Sequence, residues 1–115
     1  MEKGFEFRIE MQNRTKQFAL RIIKLYQALP KTGEALVIGD QFLRAGTSVA
    51  SNYRAACRAR SSKEFYSKLC IVIEEADETM FWLELLGETQ IIKATLLQDI
   101  FIHSINQSIN QSINN

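Results

Sequence analysis

The chain contains few of the residues that make turns and few of those that hold metal ions. Its 115 residues include one proline, five glycines, two cysteines and one histidine. So few turn-forming residues argue against a β fold of short strands and favour long helices. Because Cys57, Cys70 and His103 do not have the spacing of zinc ligands, we expect neither a metal ion nor a cofactor.

Long apolar runs are missing as well. Charged residues interrupt every apolar stretch before it reaches the roughly 18 residues of a membrane span. The N-terminal sequence MEKGFEFRIE lacks the apolar core of a signal peptide. We therefore expect a cytoplasmic protein that does not engage a membrane and whose cysteines are reduced, since disulfides are rare in that compartment.

The sequence also lacks the motifs of common enzyme classes. It has no glycine-rich loop of the kind that binds nucleotide phosphates, and no recognisable serine–histidine–acid or cysteine–histidine set. The acidic run from Glu74 to Glu78 contains none of the Glu-x-x-His pairs that helical bundles use for two-metal sites. We expect a protein that is not an enzyme.

What the chain does have is a strong separation of charge behind a formal net charge of +1. Residues 11–68 contain eleven basic side chains against three acidic ones, a net +8, and residues 69–99 contain one against seven, a net −6. Such a split indicates contact with nucleic acid, or the pairing of basic and acidic surfaces within or between subunits. The sequence leaves both interpretations open.

The spacing of apolar residues predicts four helices connected by short turns. We place them at about residues 10–29, 34–59, 62–86 and, more weakly, 91–103. Pro30 and Gly33 end the first helix, and Ser61 with Glu64 forms a capping box before the third. Long amphipathic helices with short connections pack as antiparallel neighbours.

These helices predict an all-α fold, an up-and-down four-helix bundle that forms one domain over residues 1–103. Residues 104–115 repeat a Ser-Ile-Asn-Gln unit without any charge. Serine and asparagine are poor helix formers, so this segment is expected to be a low-complexity tail. We assign the tail no function.

The second helix carries two stripes at helical spacing. The apolar stripe consists of Ile38, Phe42, Ala45, Val49, Tyr53 and Ala56. The polar stripe consists of Gln41, Arg44, Ser48 and Asn52. Small side chains between them allow another backbone to come close. Polar groups beside a core are rarely unpaired, so Arg44, Ser48 and Asn52 should be buried and hydrogen-bonded.

The third helix has a core stripe and an outward apolar patch. The expected core is Phe65, Leu69, Val72, Ile73, Ala76, Met80 and Leu83. The outward patch is Ile71, Trp82 and Leu85, set among acidic side chains. Tryptophan is enriched where proteins dock, so the patch predicts an oligomer interface, with coverage by the fourth helix as the alternative.

Two segments resemble a known family. The run QFLRAGTSVASNYRAACRARSSKEF and the later run EEADETMFWLELL are similar to the small helical proteins encoded by intervening sequences of bacterial 23S ribosomal RNA genes. The resemblance covers about residues 14–89. Its motif comprises Arg44, Gly46-Thr47-Ser48-Val49, Asn52-Tyr53, Arg58, Phe65, Glu74-Glu75-Ala76 and Trp82-Leu83-Glu84-Leu85-Leu86.

The resemblance implies a four-helix bundle that assembles as a ring of five subunits. Members of the family are similar to accessory proteins of diversity-generating retroelements, where a basic pentamer engages nucleic acid and a reverse transcriptase. Binding of RNA or DNA is therefore the expectation for this chain. Family members usually carry a glutamate where this chain has Ala55. The alanine would leave Arg44 without one of its partners.

The sequence thus predicts an oligomer that binds nucleic acid through a basic surface. The candidate residues for that surface are Arg14, Lys16, Arg21, Lys24, Arg54, Arg58, Arg60 and Lys63. Tyr53 and Tyr66 are candidates to stack on bases, although each neighbours an apolar stripe and is expected in the core or an interface. The alternative is an oligomeric adaptor that presents its surface to a protein partner.

Overall fold

The computed structural model describes residues 2–93, which form an all-α structure of three helices with no strand in that range. These are α1 (Glu2–Ala28), α2 (Gly33–Ala56) and α3 (Ser62–Glu88). The predicted all-α class is confirmed, and the first helix begins about two turns earlier than the apolar spacing indicated. Residues 94–103 of the predicted fourth helix, and the whole tail, lie outside the described residues. Residues 91–93 are described and are not helical.

The turn between α1 and α2 is held by Lys31. Its ammonium group donates to the carbonyl oxygens of Tyr26 and Leu29 and lies 3.8 Å from the centre of the Tyr26 ring. The Tyr26 carbonyl also accepts the backbone N–H of Leu29, so the cation adds to the hydrogen bonds that close this helix end. Gly33 then opens α2 with φ of 55°, a left-handed conformation that glycine adopts without steric cost.

The start of α3 has half of the predicted capping box. The Ser61 hydroxyl accepts the backbone N–H of Glu64 at 3.0 Å, as the motif requires. The Glu64 carboxylate reaches back one residue further than expected and accepts the N–H of Arg60 at 3.4 Å. It also lies 3.9 Å from the Arg60 guanidinium.

The end of α3 is closed by backbone hydrogen bonds. Thr89 N–H donates to Leu85, and Ile92 N–H donates to Leu86 at 3.1 Å, across Gln90, which has φ of 62°. This geometry returns the chain to the bundle and buries the Ile92 side chain in the core. A hydrophobic contact of this kind commonly accompanies a left-handed helix end.

Helix α2 lies between the other two helices and packs against both. Its predicted apolar stripe is confirmed at Phe42, Ala45, Val49, Tyr53 and Ala56, which are buried, whereas Ile38 is half-buried against the core. One core cluster joins Phe42 to side chains of α1, of α3 and of the segments that follow them, namely Ile22, Leu25, Leu29, Leu83, Leu86 and Ile92. A second cluster is formed by Val49, Tyr53 and Val72.

The core stripe of α3 differs from the prediction at Ile73. This side chain is 62% exposed, whereas Val72, Thr79, Leu83 and Leu86 are buried. Within the described residues α3 packs mainly against α2, so these residues cover only a narrow ridge of the helix. Thr79 is a polar residue on that buried ridge. Its hydroxyl donates to the Glu75 carbonyl at 2.7 Å within the same helix, so its burial leaves no donor without a partner.

None of the three described helices combines the length and the apolar content needed to cross a bilayer.

Candidate nucleic-acid interface

Two of the predicted cationic residues line one groove on the outer side of α1 and α2. Lys16 comes from α1 and Arg54 from α2. The groove has a volume of about 340 Å³, and its remaining walls are Gln12, Thr47, Ala50 and Ser51. The antiparallel packing of the two helices brings these residues together although they are far apart in the sequence.

The cations of this groove are exposed. Lys16 and Arg54 lie at the surface. Within residues 4–93, no carboxylate lies within ion-pair distance of either side chain. Small residues such as Thr47, Ala50 and Ser51 keep the floor of the groove low, so that a phosphate group has room to approach both cations.

A second cationic pocket lies where α1 meets the start of α3. It has a volume of about 300 Å³ and is lined by Arg8, Ala56, Ala59, Arg60, Ser61, Ser62 and Phe65. Arg60 is one of the predicted residues, and its side chain is almost fully exposed. Arg8 was missed because the predicted first helix started at residue 10.

The other predicted cations do not line either of these two pockets. Arg58 and Lys63 are exposed and lie in or beside the α2–α3 turn. Lys24 is exposed but lies about two turns beyond Lys16 on α1, roughly 12 Å along the helix. Arg14 and Arg21 are half-buried and both have partners, one of them the Met11 sulfur, 3.4 Å from an Arg14 guanidinium nitrogen.

Arg44, predicted to be buried, is 47% exposed and spans the gap between α2 and α3. Its guanidinium donates to Glu75 at 3.3 Å and to Glu78 at 2.5 Å. The hydrogen bond with Glu78 raises the pKa of Arg44, and the same bond, assisted by Trp82, lowers the pKa of Glu78. Arg44 is therefore engaged within the subunit.

The rest of the polar stripe bonds within its own helix. Asn52 and Ser48 are half-buried, and the Asn52 amide donates to the Ser48 carbonyl at 2.8 Å. Gln41 accepts a hydrogen bond from Arg44 at 3.2 Å. The stripe thus forms a set of local contacts beside the Arg44 ion pairs.

Tyr53 and Tyr66, the two candidates for base stacking, have opposite environments. Tyr53 is 2% exposed, and within residues 4–93 its hydroxyl meets only the Cys57 thiol, whose sulfur is a weak hydrogen-bond partner. Burial first, and then the nearby Cys57 thiol, raise the pKa of Tyr53 to about 12. Tyr66 is 69% exposed, so only Tyr66 presents a ring face to an external ligand.

The predicted interface patch is only partly at the surface. Ile71 is exposed, but Leu85 is half-buried and Trp82 packs against the core cluster. The Trp82 indole N–H donates to Glu78 at 3.2 Å. Besides Ile71, the large exposed apolar side chains of α3 are Tyr66, Ile73 and Phe81.

The family is decided by the extent of the sequence match. The family described as 23S rRNA-intervening sequence protein matches residues 8–114. The chain belongs to this family. Among curated proteins, none matches the chain.

A solved relative of this chain has the same fold. It is a protein of unknown function from the S23 ribosomal protein family of Bacteroides thetaiotaomicron, known from a crystal structure at 1.70 Å. The two chains are 38% identical, with a TM-score of 0.74 over 83% of this chain and 88% of the other.

No cluster of three or more histidine, cysteine, aspartate or glutamate side chains suitable for a metal ion occurs within residues 4–93. The chemistry available at the two cationic sites is electrostatic and hydrogen-bonding. Guanidinium and ammonium groups fit phosphate oxygens, the first in a fork and the second as a point charge.

Proposed function

We propose that this protein is an oligomer that binds nucleic acid without catalysing a reaction. The observation that carries the proposal is the convergence of Lys16 and Arg54, from two different helices, on one groove. Both are exposed, and neither has a carboxylate partner in the described part of the chain. Cations left without acidic partners are available to phosphates.

The basic surface continues from this groove into the α2–α3 turn. Arg58, Arg60 and Lys63 are exposed there, next to the pocket that Arg8 also lines. Contacts to phosphates give affinity with little base readout. We therefore expect binding that tolerates different sequences and weakens as salt rises.

The finer architecture in this proposal comes from the family resemblance. It consists of an up-and-down four-helix bundle, a ring of five subunits, a cytoplasmic location and a kinship with retroelement accessory proteins. A ring would repeat the groove once per subunit and strengthen weak contacts through multivalency.

The salt dependence of binding tests the proposal. The apparent affinity for a labelled RNA and for a DNA duplex should fall with salt, with a log–log slope of about −0.7 to −0.9 per phosphate neutralised. Changing Lys16 and Arg54 together to alanine should make the slope shallower. Lys93→Ala, an exposed cation outside the basic segment, is the matched control and should leave the slope unchanged.

Two results would contradict nucleic-acid binding by this groove. One is a wild-type protein that binds neither RNA nor DNA at low salt. The other is a double variant that binds as tightly as the wild type and with the same slope. The first result would favour the adaptor function.

The adaptor alternative is supported by the apolar surface of α3. Ile73 and Phe81 are exposed beside acidic residues such as Glu74, Asp77 and Glu84. A protein partner, or the basic face of the next subunit, would fit such a surface.

Sedimentation tests the oligomer. We expect an assembly at micromolar concentration, and a clean monomer would contradict it. Phe81→Glu tests the proposed subunit contact through the exposed face of α3. A change at Trp82 would carry more risk to the fold, because Trp82 packs against the core of its own subunit.

A further inference from the structure

Two exposed aromatic side chains flank the cationic pocket between α1 and α3. Tyr66 follows Ser62, which lines the pocket, by four residues, and residues four apart on a helix lie side by side. Phe5 precedes Arg8, which also lines the pocket, by three residues on α1. The two rings are 69% and 64% exposed.

We propose that this pocket and its two rings bind a single strand of nucleic acid, an inference that rests on the proposed function and narrows its ligand. Arg8 and Arg60 would hold backbone phosphates in the pocket, and bases on either side would stack on Tyr66 and Phe5. Cations beside exposed aromatic rings are the combination used by proteins that bind single strands. The positive charge of the pocket complements the phosphates of the strand.

A duplex cannot make all of the contacts that this surface offers. Its bases are stacked on one another and paired, so their faces are not available to Tyr66 or Phe5. The phosphates of a duplex still reach the arginines. The structure therefore assigns single-strand preference to the rings and general affinity to the cations.

The charges around Arg60 are compatible with this assignment. Its only carboxylate neighbour in the described structure is Glu64, at 3.9 Å, and the Arg60 side chain is almost fully exposed. Such a pair is easily exchanged for a phosphate, because exposed ion pairs contribute little. Lys63, one turn before Tyr66 on α3, adds a further exposed cation.

The test compares an unstructured RNA of about 12 nucleotides with the duplex that it forms with its complement. Tyr66→Leu should weaken binding of the single strand by about tenfold, which is typical for loss of one stacked base, and should leave duplex binding unchanged. Tyr66→Phe, which keeps the ring, should bind like the wild type. Because Tyr66 is exposed, neither change should affect folding, and circular dichroism would check this.

Val37→Ala is the control, since Val37 is another large exposed apolar side chain but lies near the start of α2, whereas the pocket lies at the end of that helix. It should not change single-strand affinity. The inference is overturned if Tyr66→Leu binds the single strand as well as the wild type, or weakens the single strand and the duplex alike. It is also overturned if Tyr66→Leu changes the oligomeric state, because the ring would then belong to a subunit contact.

The outcomes separate this inference from the proposed function. Equal, salt-dependent binding of single strand and duplex, insensitive to Tyr66, would overturn the single-strand assignment and leave electrostatic binding standing. Absence of any binding at low salt would overturn both.

Discussion

The two sides of α2 pack against their neighbours by different means. Towards α1, the helix presents glycines: a Cβ added at Gly46 would lie 2.6 Å from a methyl group of Ile22, and one at Gly39 would lie 3.1 Å from Leu29. Towards α3, the helix presents Arg44, which forms ion pairs with two carboxylates. The first contact is apolar and close, and the second is polar and partly hydrated.

The two contacts of α2 contribute differently to the stability of the fold and to the alignment of its helices. Close apolar packing depends on shape and tolerates little change of volume. Exposed ion pairs are screened by water and contribute little free energy, but they favour one pairing of charges over others. We infer that the α1–α2 contact supplies more stability per residue than the Arg44 contact, which favours one alignment of α2 against α3.

The strongest test of this comparison is Gly46→Ala. The new methyl group would meet Ile22, a fully buried residue whose β-branched side chain has a restricted χ1. Overpacking should cost about 2–3 kcal/mol, against a gain in helix propensity of about 1 kcal/mol. The free energy of unfolding in urea should fall by about 1–2 kcal/mol.

Gly39→Ala is the matched control on the same side of α2. There the new methyl group would meet the end of the Leu29 side chain at 3.1 Å, and that end can move. Its stability should equal or exceed that of the wild type, because the propensity gain is then less opposed. If Gly46→Ala were as stable as Gly39→Ala, close approach would not explain the glycine at position 46.

A smaller effect is expected on the α3 side, from Glu78. Arg44 first, and then Trp82, lower the pKa of this carboxyl in the folded protein. The stabilisation is therefore present above the ordinary carboxyl pKa of the unfolded chain and is lost as pH falls through the lowered pKa. Urea unfolding of wild type and Glu78→Gln should differ near pH 7 and converge in acid.

The only tryptophan of the chain reports on the same contact. Because the Trp82 indole donates to Glu78, its fluorescence should change in wild type over the pH range in which Glu78 titrates. Glu78→Gln should not show that transition. A pH-independent difference in stability between the two proteins would contradict the role of the charge.

The smallest effect is expected at Tyr53, which lies on the buried face of α2. Among the described side chains its buried hydroxyl meets only the Cys57 thiol, a weak hydrogen-bond partner, and a buried polar group without a strong hydrogen bond is unfavourable. Tyr53→Phe should leave the free energy of unfolding unchanged or raise it by up to about 1 kcal/mol. A clear loss of stability would mean that the hydroxyl does have a partner in solution.

The periodic pattern was sufficient to predict the three described helices and most of the core. Apolar residues at steps of three and four predicted the buried stripe of α2, and the serine–glutamate pair predicted the start of α3. These features are local, since they depend on residues within one or two turns. Ile73 was misplaced because its burial depends on how wide a face α3 presents to α2, which spacing within one helix does not specify.

The sequence by itself determined that the chain is helical, where its helices are interrupted and that its first half is basic. The tertiary structure decided which cations share a site: Lys16 with Arg54, and Arg8 with Arg60. It also decided that Tyr66 is available and Tyr53 is not. The physical reason is that helix periodicity fixes the face on which a residue lies, whereas the packing of other helices determines what covers or approaches that face.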